Sequence, residues 1–216
     1  MPDTALPPRL IVGISGASGT VFGVRMLEAL RPLPVEAHLV MSRSAEVTLA
    51  HETDMKIADV QTLADVVHGF GDLAAAPSSG SFRTLGMVIA PCSMRSLAEI
   101  AGGNTTSLLT RAADVVLKER RRLVLMVRET PLHSGHLRNM LALSDLGAVI
   151  APPVPAFYAN PETLTDLVDH SVGRVLDLFD FDSGRIRRWG EDSPDTRPPL
   201  RGVRRSRGAT DRQDLD

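Results

Sequence analysis

The sequence predicts an α/β fold built on a parallel sheet, and three observations support this. Short apolar runs, such as residues 10–14, alternate with stretches of helical periodicity, such as residues 21–30. The spacing of strand, helix and strand suits right-handed crossovers between parallel neighbours. The chain has 216 residues, of which 43% are hydrophobic and 23% charged, which suffices for one sizeable core. We therefore expect one domain with short appendages.

The predicted strands are apolar runs that end at glycine, serine, proline or a charged residue. Ser42 ends the second run, and Pro91 ends the third because proline has no N–H to donate to a neighbouring strand. Arg128 follows the fourth run. The five predicted strands cover residues 10–14, 35–41, 86–90, 123–127 and 148–151.

Helices are predicted where apolar residues recur every three or four positions. The last helix shows this pattern as a stripe that includes Leu164, Leu167 and Val168. Ser93 has the chemistry of an N-cap, so a helix is expected to start there. The predicted helices cover residues 21–30, 43–51, 60–67, a stretch from residue 93 onward, 107–122, 133–146 and 161–179.

The loop of residues 13–19, Gly-Ile-Ser-Gly-Ala-Ser-Gly, is the first candidate site. It joins a strand to a helix, so backbone N–H groups and the positive end of a helix dipole meet there, which suits a phosphate or a flavin edge. It lacks the glycine spacing of a dinucleotide fold and the Gly-Lys-Ser/Thr ending of a P-loop, which argues against NAD and ATP. A tight turn without a ligand fits the same residues, although Ser15 and Ser18 favour a hydrogen-bonding site.

Further polar residues follow other strands of the predicted sheet. Ser42, Ser93 and the pair Arg128 and Glu129 all come directly after a predicted strand or its proline. Open α/β sheets bind ligands at the carboxyl ends of their strands. We therefore expect these side chains at one ligand-binding edge.

Three features have two interpretations each. Residues 74–82 form either a linker or a segment that covers a ligand, because serine and glycine dominate. Arg111, Asp114 and Lys118 share one helix face, which is either solvated or part of a site. Cys92 is interpreted as a buried small hydrophobe rather than a nucleophile, since no activating base is identified.

Composition excludes several classes of function. The net charge of -2 gives no general attraction to nucleic acid or to an acidic membrane surface. A single cysteine allows no intrachain disulfide. With no signal-like start and no apolar run of membrane-spanning length, we expect a cytoplasmic protein that contacts no membrane.

The ends of the chain differ in composition from its centre. Residues 1–8 are expected to be a flexible N-terminus, and residues 192–216, with almost no apolar content, a disordered tail. The arginines of residues 201–207 lack interleaved aromatic residues, so a nucleic-acid function for them is not favoured. The domain is predicted to span residues 9–191.

Taken together, these motifs resemble the flavin prenyltransferases, the UbiX-type proteins once described as aromatic-acid decarboxylases. The resemblance covers residues 9–191, and its most specific segments are Arg-Ala-Ala-Asp-Val-Val-Leu-Lys-Glu-Arg-Arg at 111–121 and Arg-Glu-Thr-Pro at 128–131. The other segments are Gly-Ala-Ser-Gly at 16–19, His-Glu-Thr-Asp at 51–54, Ser-Gly-Ser-Phe at 79–82, Ala-Pro-Cys-Ser-Met at 90–94, Pro-Ala-Phe-Tyr at 155–158 and Arg-Trp-Gly-Glu at 188–191.

This resemblance implies a three-layer, Rossmann-like or flavodoxin-like fold that assembles into a homo-dodecamer with FMN at subunit junctions. It implies transfer of a dimethylallyl group from dimethylallyl phosphate to N5 and C6 of reduced FMN. The product, prenylated FMN, would pass to a UbiD-type decarboxylase. Whether the donor is a monophosphate or a diphosphate stays open.

Site residues follow from the same resemblance. It assigns catalytic roles to Ser18, Glu52 and Glu129, the two glutamates moving protons. It assigns FMN contacts to Gly16, Ala17, Ser18, Ser42, Ser93, Met94, Arg95, Ser96 and Arg128. The donor phosphate would be held by Arg111, Lys118, Arg128, Tyr158 and Arg174.

The residue chemistry fits this reaction independently of the family. Departure of a phosphate from an allylic carbon requires cations and hydroxyl donors around the developing negative charge. No metal-ligand cluster is evident in the sequence, so no metal is expected, and the basic residues just named can supply that charge. Two departures from the family pattern are Val127, where proline is frequent, and the arginine-rich tail.

Two alternatives are kept. One is an FMN-dependent decarboxylase of the cysteine-decarboxylase type, but its Pro-Ala-Ser-Ala-Asn-Thr segment is missing from the sequence, and no histidine follows the first helix in the way that class requires. The other is a non-catalytic FMN-binding subunit. Such a subunit could lose Glu52, Lys118, Tyr158 and Arg174, all of which are present.

Overall fold

Six parallel strands form the centre of the computed structural model, which describes residues 7–184 and 186–188. The strands are β1 (Arg9–Ile14), β2 (Glu36–Met41), β3 (Val66–His68), β4 (Gly86–Cys92), β5 (Arg122–Val127) and β6 (Val149–Ile150). The helices are α1 (Val21–Leu30), α2 (Arg43–Glu52), α3 (Ile57–Gln61), α4 (Met94–Ala101), α5 (Leu108–Lys118), α6 (Ser134–Asp145) and α7 (Leu164–Asp177). Short 3₁₀ turns span Ala76–Ser78 and Phe157–Ala159.

The strand order is β3-β2-β1-β4-β5-β6, the order of a doubly wound Rossmann sheet. Without the three-residue edge strand β3, the order of the remaining strands is that of a flavodoxin-like sheet. Both descriptions expected from the sequence therefore apply. The direction of winding reverses between β1 and β4, so the loops that follow these strands diverge and leave a crevice.

Two apolar clusters lie on opposite faces of the sheet and make the fold three-layered. One cluster joins alternate β1 residues such as Leu10 and Val12 to α1, α2 and α7. The other joins Ile11 and its neighbours to α4, α5 and α6. This alternation buries both faces of β1, as expected for a central parallel strand.

The predicted helix over residues 60–67 is wrong. Helix α3 ends at Gln61, and Val66 begins the edge strand β3, which pairs with β2. Asp65 fixes this pairing because its backbone N–H donates to the Ala37 carbonyl (3.0 Å) and its carboxylate accepts from the Ala37 N–H (2.7 Å). Pairing with a distant strand overrides the local pattern here.

The prediction that Pro91 ends the third strand is also wrong, because β4 continues to Cys92. The register with β5 shifts between Ile89 and Cys92, so the ladder accommodates a residue without an N–H. The Pro91 carbonyl still accepts a hydrogen bond from the Ser15 N–H at 3.2 Å.

The other elements match the predicted ones to within a few residues at each end. Helix α5 stops at Lys118, four residues before the predicted end, and Arg120 takes a left-handed conformation (φ 56°) in the turn into β5. Thr163 caps α7 by accepting a hydrogen bond from the Asp166 N–H. In residues 7–184 and 186–188 no helix has both the length and the apolar content to cross a membrane. Residues 1–6, Trp189 to Glu191 and the tail 192–216 lie outside the described residues.

Candidate functional site

Three loops meet at the carboxyl edge of the sheet, and we call them the edge loops: residues 15–20, 42–44 and 93–96. Ser15, buried at the end of β1, ties the first to the third. Its hydroxyl donates to the Pro91 carbonyl and accepts from the Ser93 N–H, both at 2.8 Å. The crevice between β1 and β4 is therefore spanned by one serine side chain.

Gly16 brings the first edge loop against the second. A Cβ atom on Gly16 would lie 2.3 Å from the Ser44 hydroxyl oxygen and 2.4 Å from the Ser44 Cβ. The Ser44 hydroxyl in turn lies 3.1 Å from the hydroxyl of Ser42. This close approach is possible only because residue 16 has no side chain.

Ser42 and Ser93 are N-caps, as the sequence suggests for Ser93. The Ser42 hydroxyl accepts from the Ala45 N–H at 3.1 Å, and the Ser93 hydroxyl accepts from the Ser96 N–H at 3.2 Å. These caps direct the starts of α2 and α4 toward the crevice. The side chain of Arg95 points away, 84% exposed and paired with Glu99 at 2.9 Å.

Glu52, the last residue of α2, reaches the start of α1. Its carboxylate accepts hydrogen bonds from the N–H groups of Gly19 (2.8 Å) and Thr20 (2.9 Å) and from the Thr20 hydroxyl (2.8 Å). Ser18 directly precedes these donors in the first edge loop. The structure thus brings together two predicted catalytic residues that lie far apart in the sequence.

These contacts determine the charge of Glu52. Burial raises its pKa, but the hydrogen bonds from Ser18, Gly19 and Thr20 favour the ionised form and outweigh burial, so the pKa is lowered overall. Glu52 is therefore a carboxylate at neutral pH. The Glu52 carboxylate occupies the anion-binding position at the start of α1, where the sequence predicted a ligand. The starts of α2 and α4 are then the positions left for the anionic groups of a ligand.

Arg128 and Glu129 lie on the exposed rim that follows β5. The Arg128 N–H donates to the Cys92 carbonyl at 3.1 Å, which holds this rim beside the third edge loop. The Glu129 carboxylate accepts from the N–H of Thr130 at 2.9 Å. Within residues 7–184 and 186–188, no contact joins Glu129 to Glu52.

Of the two α5 cations, Arg111 contacts a serine-rich segment. Arg111 donates to the Ser78 carbonyl (3.2 Å) and pairs with Asp114 (2.8 Å). Lys118, at the end of α5, pairs with Glu119. Segment 78–82 therefore packs on α5, and both interpretations of residues 74–82, a linker or a cover for a ligand, stay open.

Arg174 and Tyr158 belong to a different layer. Arg174 pairs with Asp177 at 2.6 Å on α7. The Tyr158 hydroxyl lies 3.2 Å from Nε2 of His170 on the same helix. The sheet separates α7 from α5, because the two helices belong to the apolar clusters on its opposite faces.

The proposed phosphate ligands of one chain are therefore far apart. Lys118 precedes β5 and Arg128 follows it, so about 20 Å of strand separates them. Arg174 lies beyond the sheet from Lys118. A single chain brings together the residues of the edge loops but not these basic side chains.

Cys92 is a buried thiol, and the acidic and histidine residues of the described part of the chain form no metal site. Complete burial raises the pKa of the Cys92 thiol to about 12, so the thiol stays protonated, in agreement with the prediction of a buried small hydrophobe. Among the residues that the structure describes, no group of three or more His, Cys, Asp or Glu side chains is placed to hold a metal ion.

Comparison with known proteins gives the family. Residues 2–176 match the Flavoprotein family model. The chain is 61% identical to flavin prenyltransferase UbiX of Escherichia coli K12 over 79% of its length and 91% of that protein. It is 55% identical to flavin prenyltransferase UbiX of Thauera aromatica over 84% of its length and 93% of that protein. The chain belongs to the UbiX flavin prenyltransferase family.

Solved structures agree with this family. The crystal structure of AnUbiX (PadA1) in complex with FMN and dimethylallyl pyrophosphate superposes with a TM-score of 0.85 at 54% identity, covering 87% of this chain and 100% of that one. The dodecameric FMN-dependent UbiX-like decarboxylase of E. coli O157:H7 gives 0.82 at 54% identity over 84% of this chain and 98% of that one.

The cysteine-decarboxylase alternative receives no such support. The FMN-dependent cysteine decarboxylase TvaF is 20% identical with a TM-score of 0.54, a likeness that shows only a shared fold. The chain is therefore a prenyltransferase of the UbiX family rather than a relative of that decarboxylase class.

Sequence reasoning missed several residues of this flavin prenyltransferase site. The local sequence carries no signal for Ser44 and Thr20, although each lies next to a predicted contact, and it marks Ser15 only as a hydroxyl group. His170 has no local signal. Only tertiary contacts reveal these residues, because each of them contacts a segment that is not adjacent to it in the sequence.

Proposed function

We propose that this chain joins the dimethylallyl group of dimethylallyl phosphate to N5 and C6 of reduced FMN, giving prenylated FMN. The observation that supports this most directly is the position of the Glu52 carboxylate beside Ser18 at the start of α1, where the N–H groups of Gly19 and Thr20 donate to it. This pair places a hydroxyl and a carboxylate at the crevice where α/β sheets of this type bind their ligands.

The edge loops fit the phosphate and ring of FMN. Within the described residues, the backbone N–H groups of Gly16, Ser18, Met94 and Arg95 have no hydrogen-bond acceptor. N–H groups at helix starts and in glycine loops bind anions and carbonyl edges well. Gly16, Ala17, Ser18, Ser42, Ser93, Met94, Ser96 and Arg128 would hold FMN, and reduced FMN would supply the nucleophilic ring atoms.

Arg95 fits this set through its backbone, because its side chain is paired with Glu99 at the surface. The N–H of residue 95 lies in the first turn of α4, where no carbonyl of the helix itself can accept it. We therefore assign the contact of residue 95 with FMN to its main chain.

The basic residues would stabilise the leaving group. When the allylic C–O bond breaks, its electron pair departs with the phosphate, and the dimethylallyl carbons bond to N5 and C6. Lys118, Arg128 and Arg174, assisted by Arg111 and Tyr158, would meet the developing charge.

Two carboxylates would manage protons. Alkylation of N5 would release the N5 proton. Closing the ring through the carbon–carbon bond to C6 would then add a proton to the alkene and release the proton of C6. Glu52, ionised at rest, can accept a proton. Glu129 on the exposed rim is the candidate for the second transfer.

We further propose that the chain assembles into a homo-dodecamer, as the E. coli O157:H7 relative does. Helix α6 supports assembly, because Leu137 is 52% and Leu141 62% exposed one turn apart, and Leu146 just beyond is 53% exposed. Assembly would also bring together phosphate ligands that one chain keeps apart. Leu141→Glu is expected to reduce the mass measured by light scattering from twelve times the 23.3 kDa chain mass, whereas Leu141→Met keeps it.

The product would serve a UbiD-type decarboxylase in the cytoplasm, and neither nucleic acid nor membrane takes part. Prenylated FMN keeps the phosphate of FMN, so a recipient protein can bind it by that group. This transfer is tested by adding the product to a UbiD-type apoprotein and measuring decarboxylation.

The reaction is tested by anaerobic incubation of the protein with reduced FMN and dimethylallyl phosphate in EDTA, followed by mass analysis of the flavin. We expect a five-carbon addition, free phosphate and no loss of rate with EDTA. A parallel arm with dimethylallyl diphosphate decides which donor is used. Absence of the five-carbon unit in both arms, or direct decarboxylation of an aromatic acid without a partner, contradicts the proposal.

A further inference from the structure

Residues 79–82, Ser-Gly-Ser-Phe, form a tight turn that we call the serine turn. The Phe82 N–H donates to the Ser79 carbonyl at 3.2 Å, which closes the turn. The hydroxyl oxygens of Ser79 and Ser81 lie 2.9 Å apart, and both residues are exposed. The turn therefore presents two hydroxyl groups side by side at the surface.

The guanidinium of Arg121 holds the serine turn by two backbone carbonyls. It donates to the Phe82 carbonyl at 2.6 Å and to the Gly80 carbonyl at 2.9 Å. The two bonds use different nitrogens of one planar group, so they fix both the position and the orientation of the turn. The contacts join residues 39 and 41 positions apart, so they fix the turn relative to the end of α5.

The serine turn lies beside Lys118, which the proposed function assigns to the donor phosphate. A Cβ atom placed on Gly80 would be 2.7 Å from the Lys118 ammonium nitrogen. Since Gly80 stands between the two serines of the turn, the hydroxyl pair and the ammonium group belong to one small surface. Arg111, also assigned to the phosphate, holds the preceding residue through the Ser78 carbonyl at 3.2 Å.

The charge of this surface favours an anion. Residues 111–122 contain five basic and two acidic side chains. Both acidic side chains are already paired, with Arg111 and Lys118. Arg121, by contrast, hydrogen-bonds to carbonyl oxygens, which carry no net charge. The surface therefore keeps an excess of positive charge next to the serine turn.

The hydroxyl pair has a proton to donate. Only one hydroxyl proton can lie between the oxygens of Ser79 and Ser81 when these share a hydrogen bond. Within residues 7–184 and 186–188, the second hydroxyl proton has no acceptor. It can donate to a phosphate oxygen, and a hydrogen bond to a charged acceptor is stronger than one between neutral groups.

We propose that Arg121 is a positioning residue of the donor site, which holds the serine turn against Lys118 so that a serine hydroxyl donates to the phosphate of dimethylallyl phosphate. This inference rests on the proposed function, in which Lys118 binds that phosphate. Because the turn and Lys118 belong to one chain, they approach the phosphate together in the assembly. Residues 78–82 then cover a ligand, which is one of the two interpretations of this segment.

The test is binding of dimethylallyl phosphate to the assembled protein loaded with oxidised FMN, which cannot react, measured by calorimetry. Arg121→Lys keeps the positive charge but replaces the planar fork with one ammonium group, which cannot hold both carbonyls in the same way. Donor affinity should fall about tenfold while the FMN content stays at the wild-type level. In turnover assays with reduced FMN, the KM for the donor should rise more than kcat falls, whereas a merely structural role would lower FMN content and assembly mass.

A serine double variant tests the same surface without changing Arg121. Ser79→Ala combined with Ser81→Ala removes both hydroxyls from exposed positions and should lower donor affinity about tenfold. Either single substitution leaves one hydroxyl free to donate and should have a smaller effect. In the double-serine background, Arg121→Lys should weaken binding little further, because Arg121 acts through the turn. Arg31→Lys, at an exposed position that ends α1, is the matched control and should bind the donor as wild type does.

Wild-type donor affinity in either Arg121→Lys or the double serine variant overturns the inference, and so do additive losses when the two are combined. If Arg121→Lys does not fold or assemble, the affinity of the double serine variant decides alone. Prenylation is measured separately. Wild-type protein that binds the donor through the serine turn but forms no prenylated flavin contradicts the proposed function alone. Wild-type protein that does not bind dimethylallyl phosphate contradicts both.

Discussion

The edge loops and the basic phosphate ligands are organised in opposite ways. In the edge loops, Ser15, Glu52 and the serine caps are tied by hydrogen bonds within one chain, at 2.8 to 3.2 Å. The basic residues lie on two faces of the sheet, and their partners are local, such as Asp114 for Arg111 and Asp177 for Arg174.

This difference indicates how the site is made. Edge loops that need nothing from outside the chain are preorganised for a flavin before assembly. Exposed ion pairs such as those of Arg111 and Arg174 contribute little to stability, so they can be exchanged for a phosphate at small cost. We infer that folding builds the flavin half of the site and that assembly builds the phosphate half.

The largest effect is expected from Glu52→Gln. It removes a carboxylate that holds the start of α1 and accepts a proton, so turnover should fall by about two to four orders of magnitude while FMN stays bound. Single-turnover rates and flavin content by absorbance measure the two effects. Glu46→Gln, on the same helix, is the matched control. A Glu52→Gln protein with wild-type turnover would show that the pair is only structural.

A smaller effect is expected from Gly16→Ala, which tests how tightly the edge loops are packed. The added methyl group collides with Ser44, so the free energy of unfolding should fall by about 1–3 kcal/mol. Adding Ser44→Gly removes the two closest contacts and should recover part of this loss. Gly71→Ala, where no atom lies within 4 Å of the new Cβ, is the control in the same urea titrations. Equal midpoints for Gly16→Ala and Gly71→Ala would contradict the packing.

The smallest effect concerns pH. The pKa of Glu52 is lowered in the folded state, so its contribution is present above about pH 4.5 and is lost as the pH falls through the folded pKa. The pKa values of His68 and His170 are lowered too, so stability also decreases as the pH falls below 6.5. Melting temperatures should therefore drop in two stages.

Glu52→Gln separates these stages. This substitution should reduce the drop in melting temperature below pH 4.5 and leave unchanged the drop that begins below pH 6.5. Glu129→Gln, at an exposed carboxylate whose hydrogen bond among the described residues is to the next residue's N–H, should keep both stages. Identical curves for the two variants would show that Glu52 is not stabilised by the edge loop.

Much of the fold could be predicted because the central strands are continuous apolar runs. Strand β3 could not be, since its three residues depend on pairing with β2 and on the two contacts between Asp65 and Ala37. The continuation of β4 through Pro91 could not be predicted, because the register shift that accommodates Pro91 depends on the neighbouring strand β5. The local sequence contains no information about the strands with which β3 and β4 pair.

Less of the site than of the fold could be predicted from the sequence. Ser42 and Ser93 follow strands, and their place at the edge could be deduced from topology alone. The approach of Glu52 to the loop that contains Ser18 could not be predicted from local sequence, because α2 must run back toward the start of α1 to form it. The contact of His170 with Tyr158 has no local signal either, since it joins α7 to a turn that precedes this helix.

The most direct test of the two-part site is subunit complementation. Chains with Lys118→Ala and chains with Arg174→Ala, each expected to lose at least about tenfold in activity with dimethylallyl phosphate, are co-expressed with different tags and purified as mixed assemblies. If these residues reach one phosphate from different chains, random mixing should restore roughly a quarter of wild-type activity. Mixed assemblies of Ser18→Ala and Glu52→Gln chains, whose residues meet within one chain, should show no recovery. Absence of recovery in the first mixture, or recovery in the second, would contradict the account.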